Sequence, residues 1–146
     1  MRIPITMCHG ITWQPKPRKI RHLINRLTAE RFETYFQIAS ELGYESISYE
    51  DLANWMKGSS DLPERPIMFD FDHPDWSIGR VIWPIMERFG YTGNLFIHTS
   101  PMVKGDDRYT MTWDEVRDLL EAGWHIGAHM HHHYNLDYLA KQDPSG

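Results

Sequence analysis

Two hydrophobic periods alternate along this chain, and that alternation constrains its fold more than any other feature. Short apolar runs are separated by stretches in which apolar residues recur every three or four positions. "IPITM" (3–7) reads as a buried strand ended by the His9-Gly10 turn. Residues 11–27 hold two prolines and much charge and read as a surface loop. A helix starts behind Thr28, with Phe32, Tyr35, Phe36, Ala39 and Leu42 at helical spacing and Gly43 as its C-terminal cap. "SIS" (46–48) is a short strand, and Ser48 with Asp51 forms a capping box that opens a brief helix through Trp55. "KGSSDLPERP" (57–66) is a loop by composition, and "IMFDF" (67–71) is the next strand. Ile78, Val81, Ile82, Ile85, Met86 and Phe89 make the clearest helical stripe, closed by Gly90 and bent at Pro84. "NLFIH" (94–98) is a strand. Thr112 and Glu115 cap a helix carrying Trp113, Val116, Leu119 and Leu120, which Gly123 ends before a last strand, "WHIGAH" (124–129).

The order β-α-β-α-β-α-β-α-β predicts a mostly parallel sheet with crossover helices. A (β/α) barrel normally takes about 250 residues. The 146 residues here, closing on the turn-like "KQDPSG", read as a barrel cut short after about five strands. The chain is 41% hydrophobic and 13% aromatic, enough for the core of one domain. A formal charge of −5 with scattered basic residues, apart from "KPRKIRHLINR" (16–26), argues against a nucleic-acid partner. The single cysteine, Cys8, excludes an internal disulfide and leaves the redox compartment open. No window approaches the roughly 18 apolar residues of a membrane span, and the first residues lack a signal-peptide apolar region. As written, the chain reads as cytoplasmic; a signal removed upstream would make it extracytoplasmic.

In parallel α/β folds functional groups collect at the C-terminal ends of strands. Two stretches satisfy that rule. In "MFDFDHPDW", Asp70 and Asp72 stand two apart on a strand, so their side chains share a face. "GAHMHHHYNL" places four histidines within five positions at the end of the last strand. His129 and His133 share a face of a helix, whereas His129, His131 and His133 share a face of an extended chain, so spacing alone leaves the set open. Two or three imidazoles with a carboxylate are the donor set of a catalytic zinc-type site. A solvated histidine cluster and an ordinary strand-end aspartate are the plainer alternatives.

These stretches resemble the NodB-homology polysaccharide deacetylases, and the likeness runs almost end to end. "IPITMCHGI" is similar to that family's first strand and its Tyr-His-Gly turn, with Cys8 in place of the tyrosine. "LTAERFETYFQIASELGYESISYEDLANWM" is similar to the stretch before the first motif. "IMFDFDHP" stands for that motif in an Asp-x-Asp form, and "MTWDEVRDLLEAGWHIGAHMHHHYNL" resembles the run into the second, His-Ser/Thr-x-x-His, with Met130 replacing the hydroxyl residue. The resemblance implies a distorted (β/α) barrel of the glycoside hydrolase/deacetylase type, with residues 1–146 forming a partial domain. It implies a divalent ion, zinc foremost with cobalt, nickel or iron as alternatives, on Asp72, His129 and His133. Asp70 is then the general base and His73, where glycine is common, a substrate contact or a loop residue. The implied reaction is hydrolysis of an acetyl group from a carbohydrate. The family's late-motif histidine acid and middle-motif arginine have no counterpart in the thirteen residues after His133.

Three other readings compete. An allantoinase-like cyclic-amide hydrolase of the same superfamily would act on a small amide. A truncated metal-binding domain would hold an ion without turnover. "IMFDFDHP" also resembles the haloacid-dehalogenase phosphatases, but Pro74 stands where that motif wants Thr or Val, and the histidines are left without a role. Trp76, Trp83 and Trp124 read as core or barrel wall, and His98 as a hydrogen-bonded, buried histidine, with a place lining the pocket as the alternative.

Overall fold

The computed structural model describes residues 2–11, 27–103 and 109–132. Residues 12–26 of the loop expected over 11–27, with its basic stretch, His133 and the "KQDPSG" turn lie outside these residues, and the loop's ends, Ile11 (buried, not on the surface) and Leu27, form a parallel bridge. In chain order the elements are β1 (Ile5–Cys8), α1 (Ala29–Glu41), β2 (Glu45–Ser46), α2 (Tyr49–Met56), β3 (Pro66–Asp72), a π-helical turn (Ile78–Ile82) running into α3 (Trp83–Glu87), β4 (Asn94–Ile97), α4 (Ser100–Val103), α5 (Trp113–Glu121) and β5 (His125–Ala128).

The caps expected from the sequence set the helix ends. Thr28 Oγ1 accepts from the Arg31 amide at the start of α1. Ser48 with Asp51, and Thr112 with Glu115, make reciprocal capping boxes. Glu115 also pairs with Arg80 through two contacts, 2.5 and 3.2 Å, which tie α5 to the π turn. Pro84 stands where the ladder changes pitch. Trp83 still donates five residues back, to the Ile78 carbonyl, and proline then follows at the start of α3, where no N–H is required. The expected bend is therefore a widened turn. α4 has no counterpart in the periodicity, because four residues are too few to show one.

The pairings between these strands are all parallel, and one isolated antiparallel bridge joins Asp75 to Thr110. The sheet runs β1-β3-β4-β5, with β2 on the first residues of β3. Paired residues in parallel strands point to the same side, so the register divides the sheet into two faces. One row holds Cys8, Phe71, Leu95 and Ile126. With Phe69 and Ile97 they meet Phe32 and Phe36 of α1, Ile78, Ile82 and Met86 around α3, and Val116 and Leu119 of α5. That is the core, and burial of this area is the main stabilising term. Trp124 belongs to it as expected, 5.4 Å from the Phe71 ring, and a side chain at Gly93 would overlap both rings. Burial pushes the Cys8 thiol on this face up to about 11, so it stays protonated at neutral pH.

The opposite face is different. Its rows are Met7, Asp70, Asn94 and His125, then Asp72, Phe96 and Gly127. On β1 it leaves Ile5 and Met7 more than half exposed. The carboxylates and imidazoles lie on this face, towards the C-terminal strand ends. Among the described residues no helix is long and apolar enough to cross a membrane.

Candidate active site

Asp70 and Asp72 share the polar face of β3, the central strand, but their surroundings differ. Asp70 is buried, and both of its oxygens are engaged. Tyr49, the first residue of α2, donates its hydroxyl to Oδ2 at 2.7 Å, and Asn94 Nδ2 donates to Oδ1 at 3.0 Å. The register places Asn94 beside Asp70. Tyr49 crosses from α2 because Ser48 fixes the helix start, and its ring packs edge-on to Phe96 at 5.5 Å. Gly127 makes room for that Phe96 ring, since a Cβ there would sit 2.6 Å from it. A carboxylate accepts about four hydrogen bonds. Among the described residues, Tyr49 and Asn94 take two of these on Asp70.

Partial burial, the bond to Asp70 and the charges of Asp70 and Asp72 together push the Tyr49 phenol up to about 12. Its ordinary value is about 10. A phenol raised in the folded state contributes stability that is complete below pH 10 and is lost as pH climbs through 12. Alkaline titration of wild type against Tyr49→Phe should therefore show the Tyr49 phenolate appearing near pH 12. A phenolate signal from this residue near pH 10 would show that it does not hold Asp70 in solution.

Asp72 lies nearer the strand end and is more open. His9 Nε2 is 3.9 Å from its Oδ2. His9 follows β1 directly, so the first strand supplies a group that sequence reasoning treated only as part of a turn. Its position at the end of a parallel strand was the available signal. His73 follows Asp72 with a left-handed backbone, φ 70°. Its amide donates to the Phe96 carbonyl, and its ring lies 5.0, 4.8 and 5.3 Å from those of His9, His98 and His129. His98 is half-buried and meets His73 Nδ1 to Nδ1 at 3.1 Å, one ring donating and the other accepting.

The histidine run is split by its backbone. The His129 amide still continues the ladder to the Ile97 carbonyl, so His129, just past β5, lies on the side of Asp72. Met130 then turns left-handed, φ 68°, which breaks strand alternation. His131 is directed to Thr99, its Nδ1 2.7 Å from Oγ1, and His132 packs on His131; both are exposed. His129 and His131 therefore do not continue one extended face. Asp70, Asp72, His73 and His129 are brought to one end of the sheet, with His9 and His98 beside them, and His133 lies outside the described residues. Among the described residues, no three His, Cys, Asp or Glu side chains stand close enough to share one ion.

No protein-family model matches the chain, and no curated protein matches its sequence. Solved structures do match. A de-N-acetylase from Aggregatibacter actinomycetemcomitans superposes with a TM-score of 0.76 at 19% identity, over 87% of this chain and 54% of the other. The Streptococcus pyogenes deacetylase PplD, solved with acetate, gives 0.78 at 19% identity, over 97% and 69%. BC0361, a polysaccharide deacetylase from Bacillus cereus, gives 0.76 at 14% identity, over 98% and 43%. The chain has the α/β fold of these deacetylases and spans between about two fifths and two thirds of their lengths. The expected barrel-type fold, partial in extent, is what the comparison returns.

Proposed function

We propose that this domain, which has the fold of the polysaccharide deacetylases, is a metal-dependent hydrolase that removes acetyl groups from an acetylated carbohydrate. One observation carries the reading. Two carboxylates in contrasting surroundings sit on one face of the central strand, beside converging imidazoles, at the strand ends where α/β folds place their chemistry.

The donor types suit zinc or a similar ion: a half-open carboxylate, Asp72, on the same side as the imidazole of His129. Asp72, His129 and His133 are the residues that would hold it. When bound, such an ion polarises the acetyl carbonyl and makes water a stronger acid. Asp70 accepts the proton that water loses as it attacks. Tyr49 and Asn94 orient the Asp70 carboxylate by donating one hydrogen bond to each of its oxygens. They fill the positioning role for which the family resemblance implies an arginine.

Metal content separates this reading from a loose histidine cluster. Elemental analysis of the untagged chain should find about one zinc, cobalt, nickel or iron per molecule, and Asp72→Ala should weaken binding at least about tenfold. Equal metal in both proteins would place the ion on solvated histidines alone and end the proposal. No metal in either would do the same.

A further inference from the structure

Both lateral rims of this fold expose apolar side chains. The helix layer runs α1, α3, α5 across the sheet, tied by two ion pairs: Glu33 with Arg88, just past α3, at 3.0 Å, and Glu115 with Arg80 of the π turn. At about 100° per residue, Phe32, Phe36 and Ala39 put the inner face of α1 on the core, and Glu33 marks the flank nearest α3. Tyr35, Ile38 and Leu42 lie on the opposite flank, each about half exposed. The far rim repeats the pattern on α5. Val116 and Leu119 face the core and Glu115 lies towards the π turn, while Trp113 and Leu120, on the other flank, are about half exposed.

The sheet beneath ends in the same way. Among the described residues no strand pairs with the outer edge of β1 or of β5. Ile5 and Met7 are more than half exposed on the face away from the core. Open strand edges flanked by apolar side chains are surfaces that associate.

Two features identify the occupant. The chain spans about half the length of deacetylases whose fold it shares, so two copies supply the extent of one such molecule. The path β1-β3-β4-β5 holds four parallel strands, half of an eight-stranded barrel, and its two edges match each other in strand direction.

We propose that a second copy of this chain covers both rims. β5 of each protomer lies beside β1 of the other, which closes one parallel barrel about a twofold axis and leaves no free edge. Trp113 and Leu120 of one protomer then meet the flank of Tyr35, Ile38 and Leu42 on its partner, and Ile5 and Met7 turn into the barrel. Because every strand runs the same way, both protomers present Asp70 and Asp72 at one mouth, and each supplies strand ends that complete the wall of the other's site. The interface is independent of the reaction proposed above.

Sedimentation equilibrium of the full 146-residue chain tests this, and a dimer is expected. Ile38→Glu on one rim and Leu120→Lys on the other should each weaken the dimer at least about a hundredfold, since each substitution puts an unpaired charge in both seams. An equimolar mixture of the two variants should dimerise more tightly than either alone. A mixed dimer keeps one unaltered seam and carries opposite charges in the other, and its recovery also shows that both variants are folded. A chain that stays monomeric at every accessible concentration overturns the proposal and leaves the rims to a different polypeptide. So does a dimer that neither substitution weakens, or one that mixing does not restore, the second being the mark of like rims in contact.

Discussion

Asp70→Asn should lower acetate release by roughly 10²–10⁴-fold, the usual contribution of a general base. Asparagine keeps the shape of the side chain and one acceptor for Tyr49 or Asn94, but it cannot take a proton from water. Asp70 is buried with one bond to each oxygen, and the substitution forces one of those partners to find a new one. That exchange costs about 1–2 kcal/mol of stability, far less than is needed to unfold a domain. Denaturant unfolding beside the rate measurement therefore separates lost chemistry from lost structure. An Asp70→Asn protein that folds and retains full activity would assign the base elsewhere, with Asp72 next in position.

Gly10→Ala should cost about 2–4 kcal/mol, a large share of the stability of a domain this size. Two effects combine. Gly10 has φ 106°, which disfavours any side chain, and a Cβ there would lie 2.8 Å from the Asp75 carboxylate and from Ser77 Oγ. Those groups form a buried junction. Asp75 Oδ1 accepts from the Ser77 amide at 3.0 Å and its hydroxyl at 2.5 Å, and Ser77 Oγ accepts from the Ile11 amide at 3.0 Å. The junction ties the chain after β1 to the loop after β3, and so holds His9 beside Asp72. Gly58→Ala is the control, because its φ is 72° with nothing within 4 Å. It should cost only the backbone term, about 1 kcal/mol. If thermal or denaturant unfolding gives equal losses for the two variants, the junction is not what Gly10 protects.

Local signals in the sequence were enough for most of the fold. Thr28, Ser48–Asp51 and Thr112–Glu115 started helices where they were expected, because capping is decided within three residues. The even spacing of Asp70 and Asp72 correctly put both on one face, because strand alternation is also local. What escaped the sequence depends on contacts between distant segments. Tyr49 lies 21 positions before the carboxylate that it holds, and nothing in "SYEDL" distinguishes it from a surface tyrosine. His9 meets Asp72 only because β1 lies beside β3. His98 was read as hydrogen-bonded and buried, with the pocket wall as the alternative; it is hydrogen-bonded to His73 and half-buried. The split of the histidine run follows from one left-handed residue, Met130, a conformation that its side chain does not advertise. The π turn before Pro84 was legible only as a bend, since a widened turn leaves the hydrophobic stripe intact.

Acetate release tests the central claim most directly. The chain, loaded with zinc or cobalt, would be incubated separately with N-acetylated oligosaccharides, with an O-acetylated xylan and with allantoin. The account predicts acetate from an acetylated carbohydrate, lost in Asp70→Asn and Asp72→Ala. Ring opening of allantoin without acetate from either carbohydrate would contradict it in favour of a cyclic-amide hydrolase, and bound metal with no turnover on any of the three would contradict it in favour of a binding domain.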